Sequence, residues 1–214
     1  MSSEKSSTES FSSLSQQGYN RVPLVREVLA DLDTPLSTYL KLADAPYSYL
    51  FESVQGGEKW GRYSIIGLPC KTVIKISGHS LRLYENGRLL EEQTVDDPLA
   101  WVSEYQSRFR VYEDGSLPRF TGGLVGYFGY ETIAYIEKRL AGRDKPDPLE
   151  TPDILLMLSE EVVVFDNLSG KLYIIVHVDP SQSGAREAGE NRLAQIASDM
   201  RNKLPDTAGH QKQM

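Results

Sequence analysis

The sequence predicts an α+β fold: layered, mainly antiparallel β-sheets with flanking helices. Three observations carry this. Short β-branched and aromatic runs alternate with turn dipeptides, apolar residues recur at helical spacing in several separate segments, and the composition is that of an ordinary globular chain. Of 214 residues, 40% are hydrophobic, 25% charged and 9% aromatic, which excludes collagen-like, low-complexity and wholly disordered chains.

Residues 1–17, rich in serine, lack the apolar stretch of a signal peptide and read as a disordered lead-in. Order is expected from residue 18, with one domain over 18–204 and a mobile tail over 205–214. In DLDTPLSTYLKLADAP, Asp33 or Thr34 can cap a helix, Pro35 suits its first position, and Leu36, Tyr39, Leu40 and Leu42 form a stripe. Pro46 bounds it, because the residue before a proline avoids helical backbone.

The segments YSYLFESV and RYSIIG read as a hairpin around Gln55 to Gly61. From Cys70 to Thr94, short strands punctuated by Ser77-Gly78 and Asn86-Gly87 predict an antiparallel meander, the latter pair being suited to a type I′ turn. Next, DDPLAWVSEYQSRF predicts a helix capped by Asp96 or Asp97 and lying across a sheet. The glycine-interrupted stretch from Phe120 leads to a helix beginning near Tyr130, then to a loop over residues 144–153. The run DILLMLSEEVVVFD is expected to pair with KLYIIVHV across Asn167 to Gly170 as a second hairpin. Leu193, Ile196, Met200 and Leu204 predict a final amphipathic helix.

Charge narrows the function. With 23 basic against 30 acidic side chains, the formal net charge is −7, which argues against nucleic acid as a partner. No apolar run approaches the ~20 residues of a membrane-spanning helix. One cysteine, Cys70, and three scattered histidines, His79, His177 and His210, build neither a disulfide nor a usual zinc site, and a reducing, cytoplasmic location fits. Walker, HExxH, GxSxG and CxxC patterns are all missing. Gly122, Gly123, Gly126 and Gly129 do not compose a dinucleotide fingerprint; they read instead as places where a strand bends or another backbone approaches. The pairs Asp96-Asp97 and Glu160-Glu161 do not read as an acid/base couple.

The hairpin PYSYLFESVQGGEKWGRYSIIG is the most informative segment. Glu52 and Ser53 on one strand, with Arg62, Tyr63 and Ser64 on the other, place a carboxylate, hydroxyls and a guanidinium among aromatic rings. Two readings stay open from the residues alone: a site for a zwitterionic ligand, or an interior Glu52–Arg62 salt bridge. The salt bridge is favoured at this level, since buried charges are usually partnered within the protein.

Together, these motifs resemble the N-terminal domain of anthranilate synthase component I. Its Leu-Leu-Glu-Ser and Gly-Arg-Tyr-Ser elements stand here as Leu50-Phe51-Glu52-Ser53 and Gly61-Arg62-Tyr63-Ser64, with Phe51 departing from the second leucine. NRVPL, DTPLSTYLKL, FTGGLVGYFGYE and PDILLMLSEEVVVFDNLSGKLY extend the resemblance to the end of the last helix. It implies feedback inhibition by L-tryptophan, with Glu52 and Ser53 on the amino acid's polar end, Phe51 and Tyr63 about the indole, and Ser64 completing the wall. It further implies a glutamine amidotransferase subunit as partner, and an enzyme that converts chorismate and ammonia to anthranilate and pyruvate. The chemistry and the Mg2+ would belong to a C-terminal chorismate-binding domain. The expectation is that this domain is absent from the 214 residues, that the chain carries no catalytic or metal-ligating residue, and that it is inactive alone. A free-standing module that binds an amino acid or docks on an amidotransferase is the alternative, as is the equivalent domain of an aminodeoxychorismate or isochorismate synthase.

Overall fold

The structure is a computed structural model, and it describes residues 11–29, 33–54, 60–113, 115–140 and 149–203, without the side chains at 53, 54, 60 and 138. It contains two five-stranded antiparallel sheets with helices against them, as an α+β layered fold requires. The chain divides into two compact units, one formed from 1–69, 110–122 and 160–214, the other from 70–109 and 123–159.

The first unit opens with α1 (Phe11–Gln16), where a disordered lead-in was expected; Leu14 is fully buried and fastens this short turn of helix. Residues 1–10 and the expected tail at 205–214 lie outside the described residues. Its sheet runs in the order β1 (Val22–Leu29), β10 (Lys171–Val178), β9 (Glu161–Asp166), β3 (Trp60–Gly67), β2 (Tyr49–Val54). On one face, Ile66, Val163, Phe165, Leu172, Ile174 and Val176 pack with α2 (Pro35–Leu42) and α5 (Ala185–Asn202). Burying each such Leu, Ile, Val or Phe contributes about 1.5–3 kcal/mol over leaving it in water. The opposite face gathers Val162, Val164 and Ile175 with Val25, Tyr63, Ile65 and Phe120.

The caps explain why α2 starts and stops where it does. Thr34 Oγ1 accepts from the Ser37 N–H at 3.1 Å while Ser37 Oγ accepts from the Thr34 N–H at 2.9 Å, and Pro35 follows. Asp33, the other expected cap, instead pairs with Lys41 at 2.6 Å, whose Nζ also donates to the carbonyl of Met200 in α5. At α5, Leu193, Ile196, Ala197 and Met200 form the buried stripe.

The second unit holds the sheet β6 (Arg88–Thr94), β5 (Ser80–Glu85), β4 (Thr72–Ser77), β8 (Ile154–Ser159), β7 (Gly123–Phe128). Its β4–β5–β6 portion is the expected meander, and both Asn86 (φ +51°) and Gly87 (φ +76°) take the left-handed backbone of a type I′ turn. Helix α3 (Pro98–Ser107) is capped by Asp97, whose Oδ1 accepts from the Ala100 N–H at 2.9 Å, and packs Val102 and Tyr105 on Ile74, Ile76, Leu81, Ile154 and Leu156. The helix expected from Tyr130 shortens to a 3-10 turn and one turn of α-helix, α4 (Ile133–Ile136). Tyr135 of α4 donates to the Gly78 carbonyl at 2.7 Å, beside Asp153 Oδ2, which accepts from the Gly78 N–H.

One expectation is corrected. DILLMLSEEVVVFD is not a single strand of a hairpin with KLYIIVHV: its first half is β8 in one sheet, and only its second half, β9, pairs with β10. The change of sheet falls at Glu160. Glu160 is held by Arg21 at 2.7 Å and Glu161 by Arg192 at 2.7 Å, so the adjacent acids anchor the crossing between two strands.

Candidate functional site

The site expected from sequence lies on the β2–β3 hairpin. Cross-strand partners are Leu50 with Ile66, Phe51 with Ile65, Glu52 with Ser64 and Val54 with Trp60, with a register shift between Glu52 and Val54. Between those pairs β2 contributes one residue, Ser53, and β3 three, Gly61, Arg62 and Tyr63, so the extra residues lie on β3 and leave backbone groups outside the ladder. Because β2 is the edge strand, this irregularity lies one strand in from the rim, opposite Ser53.

Alternation along each strand separates the expected site residues. Glu52 and Ser64 are cross-strand partners, and lie two residues from Leu50 and Ile66, which pack on the helix-covered face. Phe51 stands on the other face, its ring 4.7 Å from that of Tyr49, and Tyr63 packs on that same side with Val162, Val164 and Ile175. The structure therefore sets Glu52 opposite Ser64 on one face of the sheet and leaves Phe51 and Tyr63 on the other. The Ser53 side chain lies outside the described residues. Phe51 is 50% exposed and Glu52 is exposed, whereas Ser64 is buried and its Oγ accepts from Asn167 Nδ2 at 3.3 Å.

The interior Glu52–Arg62 salt bridge does not form. Arg62 binds Asp166 instead, through Nε to Oδ1 at 3.2 Å and Nη2 to Oδ2 at 2.9 Å, with its guanidinium 4.8 Å from the centre of the Tyr63 ring. This fork-to-fork pair is the geometry in which arginine binds a carboxylate best. The Arg62 guanidinium holds the Asp166 carboxyl below the usual carboxylate range, against the opposing pull of burial. Among the described residues, Glu52 has no hydrogen-bond or ion-pair partner.

Sequence reasoning missed Asp166 and Asn167. Asn167 Nδ2 also donates to the Gly61 carbonyl at 3.1 Å, and its N–H donates to that of Arg62 at 2.8 Å, so the β9–β10 turn clasps the start of β3. A signal was available: VVVFD is a strand too apolar to end in an unpartnered carboxylate.

The other candidates take structural places. His79 Nδ1 meets the Val95 carbonyl at 2.8 Å, and His177 Nε2 meets the Thr121 carbonyl at 3.0 Å; His210 lies outside the described residues. Cys70 is half-buried. Gly126 faces the backbone of Leu155, the close approach anticipated for that stretch. Among the described residues there is no group of three or more His, Cys, Asp or Glu side chains that could hold a metal ion. Among them, too, no helix is long and apolar enough to cross a membrane.

The model of the chorismate binding enzyme family matches residues 47–213, which include the whole hairpin. The chain belongs to that family. It is 56% identical over 201 residues to anthranilate synthase component 1 of Pseudomonas aeruginosa, covering 94% of this chain and 41% of that protein. It is 55% identical over 198 residues to the protein of the same name from Neisseria meningitidis serogroup C, covering 91% and 40%. The crystal structure of anthranilate synthase component I from Streptococcus pneumoniae is similar at a TM-score of 0.54 and 27% identity, over 84% of this chain and 37% of that one. As a chorismate binding family member, the chain thus spans about two fifths of the length of the relatives it matches.

Proposed function

We propose that these residues are the N-terminal, tryptophan-sensing part of an anthranilate synthase component I, which converts chorismate and ammonia to anthranilate and pyruvate at the start of tryptophan synthesis. A glutamine amidotransferase subunit would supply the ammonia. The relatives named anthranilate synthase component 1 support the assignment. The observation that carries the sensing role is local: an exposed carboxylate, Glu52, sits beside a half-exposed ring, Phe51, while the obvious counter-ion, Arg62, is occupied by Asp166.

A ligand on the rim of β2 can reach both sides of the strand. The Glu52 carboxylate would take the α-ammonium, Ser53 the α-carboxylate, and Phe51 the indole. Tyr63 and Ser64, one strand further in, would shape and support this rim. Inhibition would follow from a higher affinity of tryptophan for an inactive arrangement of the complete enzyme, shifting its population.

On this reading the chemistry and the Mg2+ belong to the portion of the relatives that these residues do not match. Purified chain mixed with chorismate, magnesium and ammonia should give no anthranilate fluorescence, and its appearance would refute a purely regulatory role. A second reading, chorismate binding by these residues themselves, is favoured by the position of the family match at 47–213. Anthranilate formation in the same assay would be its supporting result.

A further inference from the structure

We infer that Gly67 and Tyr49 are positioning residues for Phe51: because position 67 carries no side chain, the Tyr49 ring lies down on β3, and against that ring Phe51 is held in one orientation, ready for the planar side chain of an aromatic ligand. The identity of the ligand rests on the function proposed above; the packing of the three residues does not.

Register sets the arrangement. Tyr49 stands opposite Gly67 and Phe51 opposite Ile65, on the face of the sheet away from α2 and α5. A Cβ at Gly67 would overlap three atoms of the Tyr49 ring, Cδ1, Cε1 and Cζ. With β2 on one side and β9 on the other, the β3 backbone cannot retreat from an added methyl, so the ring would have to lift. An aromatic ring laid over a cross-strand glycine fills the gap that the missing side chain leaves. Tyr49 is accordingly only 7% exposed, although it stands on an edge strand. Phe51, two residues on and on the same face, sets its ring against this floor, with the centroids 4.7 Å apart and the planes tilted by 33°, and it remains 50% exposed. Tilted rings at this spacing attract beyond the area they bury. A phenylalanine alone on the rim would exchange between rotamers, and ordering it would cost a ligand affinity; a ring already held costs less. Tyr49 is too buried to touch a ligand and acts through Phe51. The side chains that gain are planar, because a flat ring stacks on Phe51 over its whole face and a branched aliphatic chain does not.

The test has one arm without ligand and one with it. In the first, three-bond couplings measured by NMR report χ1 of Phe51. They should be those of one rotamer in the wild type and in Gly115→Ala, where an added Cβ meets nothing within 4 Å, and averaged over rotamers in Gly67→Ala and Tyr49→Leu. Averaged couplings in the wild type, or a single rotamer retained in either of the last two variants, would overturn the inference whatever tryptophan does. In the second arm, L-tryptophan is titrated into the full chain. Tyr49→Phe, which keeps the ring, should bind within about threefold of the wild type, and Gly67→Ala and Tyr49→Leu about tenfold more weakly. The double variant Gly67→Ala/Tyr49→Ala removes the clash together with the ring, so it should fold and still bind about tenfold more weakly. Wild-type affinity in that variant would make Gly67 and Tyr49 packing residues only and overturn the inference. Should Gly67→Ala alone not fold, the double variant and Tyr49→Leu decide both arms. Absence of tryptophan binding by the wild-type chain would refute the sensing function, leaving the positioning to the coupling arm.

Discussion

Gly126→Ala should destabilise the second unit by about 3 kcal/mol, the upper end of what overpacking costs, because the added methyl has nowhere to go. A Cβ at this position would overlap the carbonyl oxygen of Leu155 and lie 2.8 Å from its carbonyl carbon and 3.0 Å from Leu156 Cα. These are backbone atoms of β8, paired with β7 from Gly123–Ser159 to Phe128–Ile154, so relief requires the edge strand to peel away. Gly115→Ala is the control, since a Cβ there meets nothing within 4 Å; its effect should stay within about 0.5 kcal/mol. Urea unfolding followed by circular dichroism measures both, and equal midpoints for the two variants would contradict the packing at β7.

Histidine 177 should make the fold acid-sensitive over a defined window. Burial, aided by the nearby Arg21 charge and opposed by the Thr121 carbonyl, pushes its imidazole down from 6.5 to about 4. Between those values the unfolded chain binds a proton that the folded chain refuses. The neutral ring's contribution is therefore fully present above about pH 6.5, is lost as the pH falls, and stops changing below about pH 4. The whole window corresponds to about 3 kcal/mol. Glutamine keeps a donor for the Thr121 carbonyl but does not titrate. Unfolding free energies at pH 7 and pH 4.5 should fall by about 2–3 kcal/mol more for the wild type than for His177→Gln. Parallel losses would show that His177 does not titrate differently on folding.

What the sequence disclosed follows from the range of the interactions involved. The Asn86-Gly87 turn and the Thr34-Pro35 and Asp97-Pro98 helix starts are decided within four residues, and each lies where its local chemistry puts it. The β2–β3 hairpin was legible for the same reason, and with it Glu52 and Phe51. The division of residues 154–166 between two sheets was not, because an apolar run reveals that a strand is buried and not which neighbour buries it. Asp166 was hidden by distance: 104 positions separate it from Arg62, and Glu52 was the nearer carboxylate in sequence. Strand pairing between β3 and β9 sets Tyr63 against Asp166 and so brings the arginine to its true partner. That one long-range pair stands where the sequence suggested an internal Glu52–Arg62 salt bridge.

The central claim, that the rim of β2 binds an amino acid through Glu52, is tested most directly by titrating the isotopically labelled chain with L-tryptophan by NMR. A site exposed on a sheet rim should bind weakly, on the order of a millimolar. The expected result is saturable shifts confined to residues of the β2–β3 hairpin and the Asp166–Gly170 turn, abolished by Glu52→Gln. An undisturbed hairpin at several times that concentration, or an unchanged titration in Glu52→Gln, would contradict the account.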